Sequence, residues 1–202
     1  MPGQKASEAE RREQILKAAH DVALRRGIDG LTVRAVATRA GLSHGLVLFH
    51  FKRKDQLGLA LLDRVLATTV SLRIPDEIGA IPNPRERFQA LFRHEMHRLS
   101  EEPRRIRLLL EYWARGTHNA VVRGKISAAL DRYRAAFRSI AEEALRAEAS
   151  RFGRRTAAGV AAMAVSLIIG YPVQAMIDPA QLDLDAYLGS VEGIIGRQAT
   201  AA

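Results

Sequence analysis

Cysteine is absent from the 202 residues. That excludes disulfides, thiolate zinc sites and cysteine nucleophiles together, and it suits a reducing compartment, so a cytoplasmic location is expected. Aromatic residues make up only 5% of the chain, and lysine supplies few of its 31 basic residues, the rest being arginine. No strand-like alternation of useful length and no fixed-period repeat occurs, which argues against sheet folds and solenoids. The N-terminal stretch MPGQKASEAERREQ lacks an apolar run, so no secretory signal is expected there. Thr156–Ile177 is free of formal charge and long enough to cross a bilayer. Its alanines, glycines, Ser166, Pro172 and Gln174 dilute the large apolar residues, so a packed helix is expected and no membrane partner.

What remains is a basic, helical pattern. The formal charge is +9, a balance that favours a polyanionic partner. Ser7 followed by Glu10 is a capping-box signature. Ile15, Ala18, Ala19, Val22 and Ala23 then recur at helical spacing, up to Gly27 and Gly30. Thr32 and Ser43 are N-cap residues for two short helices, near 33–39 and 43–51, with Gly41 between them. A longer helix is expected over Asp55–Arg73, with Leu57, Ala60, Leu61, Arg64, Val65 and Thr68 on one face. Ile74–Pro84 holds three prolines and a glycine, where no helix is expected. Further helices are expected near 85–100, 103–115, 119–150, 154–177 and 184–197. The fold class is therefore all-α, with about nine helices.

Thr32–Phe51, TVRAVATRAGLSHGLVLFHF, satisfies the steric demands of a helix-turn-helix. Ala37 is small where the second helix crosses, Gly41 supplies the turn, and Val36, Ala40, Leu42 and Val47 are apolar where the helices pack. Residues 1–55 carry 11 basic and 6 acidic side chains, so the positive excess concentrates around this motif. Val47 and Phe51, four apart, are expected to face inward. That turns His44, Gly45, Leu46, Leu48 and His50, after the Ser43 cap, toward a DNA groove or its walls. Leu46 and Leu48 are expected to be exposed, within reach of thymine methyl groups; the alternative for Leu48 is that it leans back onto the first helix and packs. Thr32 and Arg34 can meet a phosphate, and Lys52 and Lys54 flank the next helix start.

Leu31–Leu57, LTVRAVATRAGLSHGLVLFHFKRKDQL, resembles the TetR family of bacterial transcriptional regulators. The tail IDPAQLDLDAYL, Ile177–Leu188, is similar to the C-terminal domain of the betaine-type repressors of that family. The resemblance implies a helix-turn-helix DNA-binding domain over residues 1–55. It implies a helical effector-binding and dimerisation domain over 56–202, with 56–73 as the connecting helix. It further implies a homodimer on palindromic double-stranded DNA, released by a small-molecule effector of unknown identity. Lys54 matches the family's phosphate-binding lysine. Two positions depart from the pattern: Leu48 replaces a tyrosine whose hydroxyl reaches phosphate, and Arg53 replaces a small polar cap.

In the C-terminal half, Phe88, Phe92, Leu109, Met163 and Leu167 are candidate apolar walls of an effector pocket. Tyr112, Trp113, His94 and Tyr171 are its candidate polar handles. The alternative for most of these residues is plain core. Ala161, Ala164 and Gly170 are expected to permit close helix approach across a dimer interface. His94 and His97 stand at i, i+3, not the i, i+4 spacing of helical zinc sites, and no third ligand is identifiable, so no metal is expected. No nucleophile elbow, phosphate-binding glycine loop or paired carboxylates stand out, so neither an enzyme nor a cofactor is expected. A DNA-binding regulator without a small-molecule effector, and a helical scaffold for acidic partners, are the alternatives.

Overall fold

The structure, a computed structural model, describes residues 7–71, 73–147 and 156–196. Ten helices run in order: α1 Glu8–Arg26, α2 Val33–Ala40, α3 His44–Phe51, α4 Lys54–Thr69, α5 Asp76–Gly79, α6 Pro84–Ser100, α7 Pro103–Gly116, α8 Ala120–Ala147, α9 Ala157–Ile177 and α10 Leu184–Gly196. No strand occurs among the described residues. The chain forms two compact units: the residues up to Val70 with Arg107–Ala129, and Ser71–Ile106 with Leu130 onward. The middle of the chain thus returns to the first unit.

Local signals set the helix ends. Ser7 Oγ accepts the Glu10 N–H at 3.2 Å while the Glu10 carboxylate accepts the Ser7 N–H at 2.8 Å, closing the capping box. The Ser7 N–H holds the Glu10 carboxyl below its ordinary range. Two expectations need correcting. The proline-rich stretch contains one helical turn, α5, because Pro75 presets φ at −58° and Asp76 and Glu77 occupy the first turn. Helix α4 stops at Thr69, four residues short of Arg73. The β-branched run Thr68, Thr69, Val70 crowds the preceding turn, and Val70 leaves the helix at φ −110°. The inward face of α4 is Leu57, Leu61, Leu62, Val65, Leu66 and Thr69, whereas Thr68 is exposed. The expected helix ends at 148–150, 154–155 and 197 lie outside the described residues.

In the first unit, α1 buries the five residues its spacing selects, Ile15, Ala18, Ala19, Val22 and Ala23. The three alanines let α2 and α4 pack against it. Val36, Val47 and Leu61 are fully enclosed, and each such side chain contributes about 1.5–3 kcal/mol of burial. In the second unit α6 and α9 pack against each other; Phe88, Leu91, Phe92 and Met96 are buried on α6, and Ala161, Ala164, Val165 and Ile168 on α9. Ala161 and Ala164 therefore spend their small size inside the protomer. The outward small residues of α9 are Ala158, Gly159, Ala162 and Ser166. Helix α9 is long and apolar enough, by length and composition, to cross a membrane, and Met163 and Ile177 on it are 45% and 80% exposed.

A charged group is enclosed in the second unit. Glu95, 1% exposed, receives Arg98 through Nε at 3.0 Å and Nη2 at 2.6 Å, and the Tyr133 hydroxyl at 2.6 Å. Paired in this way the carboxylate is tolerated in the core; stripped of a partner it would not be. Phe137 packs edge-on against both Tyr133 and Phe88 at 5.7 Å.

Candidate nucleic-acid interface

The turn between α2 and α3 is built by backbone chemistry. Gly41 sits at φ +66°, ψ 34°, and the Leu42 N–H reaches the Ala37 carbonyl at 3.0 Å, a Schellman-type stop. A Cβ on Gly41 would meet nothing within 4 Å, so its conformation, not space, selects glycine. Thr32 Oγ1 caps Ala35 at 3.1 Å, and Ser43 Oγ caps Leu46 at 3.2 Å. Each cap leaves the first amides of its helix facing outward.

Helix α3 is anchored from beneath. Val47 and Phe51 are buried as their spacing requires. The Arg12 guanidinium lies 4.2 Å from the Phe51 ring centroid and donates to the His50 carbonyl at 3.0 Å. Gln14 Nε2 donates to the Ala40 carbonyl at 2.9 Å, so α1 holds the ends of both motif helices. On the outer side His44 and Gly45 are exposed. Leu46, Leu48 and His50 are only half-buried, which corrects the expectation that both leucines are exposed. The most exposed apolar side chain of α3 is Phe49, at 72%, with its ring edge-on to His50 at 5.3 Å. Sequence reasoning missed Phe49. The signal was available, because position 49 lies two residues from each of the inward positions 47 and 51. A Cβ on Gly45 would also meet nothing within 4 Å, so nothing in the protein requires glycine there.

Cations flank this surface. Arg34, Lys52 and Lys54 are exposed. Lys52 has φ +41°, the one positive φ outside glycine among the described residues, and with Arg53 it forms the two-residue link from α3 to α4. Arg53 occupies the N-cap of α4 without a side-chain cap bond and instead pairs with Asp55 at 3.6 Å, as its departure from a small polar cap implies. A cleft of about 390 Å³ beside α2 is lined by Arg25, Arg26, Arg34 and Arg39 with Thr32 and Asp21. Arg39 Nε is tied to Asp21 at 3.0 Å. Arg25 and Arg26 were also missed, since sequence distance hides their approach to α2.

The nine effector-pocket candidates divide between the units. Leu109, Tyr112 and Trp113 belong to the first; Phe88, Phe92, His94, Met163, Leu167 and Tyr171 belong to the second. His94 and Met163 are exposed, Leu167 is half-buried, and Phe88, Phe92, Leu109 and Tyr171 are core. Tyr112 lines a cleft of about 900 Å³ and donates its hydroxyl to the Gly58 carbonyl at 2.8 Å. Phe88 lines a cavity of about 50 Å³ with Arg85, Gln89 and Val160 among others. The Trp113 indole Nε1 is buried without a hydrogen-bond partner.

Two stretches of the chain match known families. Residues 15–61 match the N-terminal profile of bacterial regulatory proteins, tetR family, and residues 84–199 match the C-terminal profile of the BetI-type transcriptional repressors. The HTH-type transcriptional regulator in the dhlA 5′ region of Xanthobacter autotrophicus is 32% identical over 85% of this chain and 82% of its own. The HTH-type transcriptional repressor BepR of Brucella suis is 40% identical over 40% of this chain and 38% of its own. A transcriptional regulator of Saccharomonospora viridis, solved in complex with choline, shares the fold at TM-score 0.75 and 22% identity, over 94% of this chain and 97% of its own. FadR of Bacillus subtilis, solved in complex with stearoyl-CoA, does so at TM-score 0.72 and 20% identity, over 91% and 96%.

An all-helical chain with this N-terminal motif is a helix-turn-helix transcriptional regulator. It belongs to the TetR family, with a BetI-type C-terminal region.

Proposed function

We propose that the protein is a homodimeric repressor that binds a palindromic operator and is released from it by a small-molecule effector. The observation that carries the DNA half is the division of α3 into a buried side, Val47 and Phe51, and an outward side bearing His44, Gly45 and Phe49. In this reading α3 enters the major groove, with Leu46, Leu48, Phe49 and His50 against base edges and thymine methyls. Thr32, Arg34, Lys52 and Lys54 hold the phosphates on either side and set the register.

The outward face of α9 supports the dimer. Gly159, Ala162, Met163, Ser166, Gly170 and Ile177 recur at helical spacing, none is buried, and none carries a charge. A second copy related by a twofold axis would cover that face with its own. Solved neighbours of this fold hold choline or stearoyl-CoA, which supports a small-molecule effector while their dissimilarity leaves its class open. The effector acts by binding better to the arrangement that misfits the operator, since only differential affinity shifts the population.

Selection of bound genomic fragments by the purified full-length protein tests this reading. The expected result is one enriched palindrome with half-sites about one helical turn, or a multiple, apart, and affinity that falls steeply with salt. Enrichment of no common sequence would overturn it.

A further inference from the structure

The cleft of about 900 Å³ is formed within the first unit, at the foot of α4 directly after the recognition helix. Its walls are the loop before α2, the first turns of α4, the end of α7 and the start of α8. We propose that this cleft binds a small amphipathic anion, an apolar body ending in a carboxylate, and that the bound anion competes with DNA for Lys54.

The lining has two chemistries. Ile28, Leu59, Val121 and Val122 form an apolar wall, with Val121 standing 57% exposed to the opening. The polar side carries the cations Arg53, Lys54 and Arg115, with His118 and Asn119 beside them, against a single carboxylate, Asp55. The existing ion pairs neutralise this surplus weakly. Arg115 meets Asp29 at 2.7 Å, but Asp29 is 98% exposed, and the Arg53–Asp55 pair is likewise open to water at 72% and 78%. Pairs of that kind contribute little and are screened by salt. Among the described residues Lys54 has no acidic partner within 4.0 Å. A cavity with an apolar wall and a few convergent cations selects an apolar anion over a neutral or cationic molecule of the same shape. The Tyr112 hydroxyl is already committed to the Gly58 carbonyl, so orientation falls to the cations.

The regulatory consequence rests on the operator reading above. Lys54 is both a wall of the cleft and a phosphate contact in that reading. An anion that takes its ammonium subtracts one phosphate contact, and the coupling is reciprocal, so operator DNA weakens anion binding by the same factor.

The test uses the full-length protein and three probes on one skeleton: 4-phenylbutanoate, 4-phenylbutan-1-ol and 4-phenylbutan-1-amine. Calorimetry or ligand-observed NMR without DNA should find the carboxylate bound about tenfold or more tightly than either analogue. Val121→Asp places an anion at the cleft mouth in the first turn of α8, where acidic residues suit a helix. It should reduce carboxylate affinity about tenfold and leave operator affinity within about twofold; Val121→Lys should retain or tighten carboxylate binding. Equal binding of carboxylate and amine, or carboxylate binding that Val121→Asp leaves unchanged, would overturn the site. With operator bound, the carboxylate should release DNA from the wild type and not from Val121→Asp. Release that persists in Val121→Asp would overturn the competition. A protein that binds no palindrome, yet binds the carboxylate with this charge and variant dependence, would overturn the operator reading and support the cleft.

Discussion

Glu111 Oε2 accepts the backbone N–H of Ile28 at 2.6 Å, across 83 positions of sequence. The carboxylate lies where a Cβ on Gly27 would meet both its oxygens at 3.0 Å, so glycine at φ +70° admits the contact sterically as well as conformationally. Arg107 Nη2 donates to the Leu24 carbonyl at 2.7 Å one turn earlier on α7, and Arg115 reaches Asp29 one turn later. One face of α7 thus fastens the end of α1 and the loop that leads into the motif.

Glu111→Ala removes a charge-assisted hydrogen bond to a buried residue's amide. The expected loss is about 1.5–3 kcal/mol of stability, read as a lower denaturant midpoint. Glu111→Gln should recover part of it, because the amide oxygen still accepts. Equal midpoints for Glu111→Ala and wild type would refute this role.

Gly45→Ala should move stability and DNA binding in opposite directions. Nothing in the protein meets the added methyl, so the helix gains up to about 1 kcal/mol. A groove wall that approaches α3 at this position leaves no room for it, and operator affinity should fall about tenfold or more. Paired thermal melts and binding titrations read the two signs separately.

Phe49→Ala should leave stability within about 0.5 kcal/mol, as expected for an exposed side chain. Operator affinity should drop, and uracil in place of specific operator thymines should weaken the wild type and not the variant. Leu48→Ala, on a half-buried side chain, should in contrast lower both stability and affinity.

Gly170→Glu places a charge on the outward face of α9, where a Cβ meets nothing within 4 Å of the protomer. The protomer should therefore fold, while sedimentation velocity shows a monomer that binds a half-site but not the palindrome as one unit. A dimer that survives the substitution would sink the assignment of this face.

Burial pushes the phenols of both Tyr112 and Tyr133 up, and the adjacent Glu95 carboxylate adds to the effect at Tyr133. Unfolded tyrosine ionises near pH 10, so above that the unfolded chain loses protons that the folded chain keeps. Stability is therefore fully present below about pH 10 and falls as pH rises beyond it, by about 1.4 kcal/mol per pH unit for each group. Denaturant titrations between pH 8 and about 11.5 should show a shallower fall for Tyr133→Phe.

The parts legible in sequence were those encoded by neighbours. Ser7 with Glu10, Thr32, Gly41 and Ser43 announce helix ends by their own chemistry, and the α1 and α3 burial follows from residue spacing. What escaped depends on distant partners or on geometry after folding. The Glu111–Ile28 bond, the approach of Arg25 and Arg26 to α2, and the separation of Tyr112 from Phe88 have no local signature. Helix α5 escaped for another reason: three prolines outweigh one favourable turn in any local reading, yet Pro75 can start what it cannot continue.

The return of Arg107–Ala129 to the first unit has a consequence for dissection and for engineering. The unit that carries the helix-turn-helix is not one continuous stretch of sequence. A truncation at the proline-rich stretch, or a chimera that grafts another domain there, separates Glu111 from Ile28, Arg107 from Leu24 and Lys125 from Asp63 in one cut. Exchange of the second unit that leaves the first intact requires two splice points, with the 107–129 segment inherited together with the helices it braces.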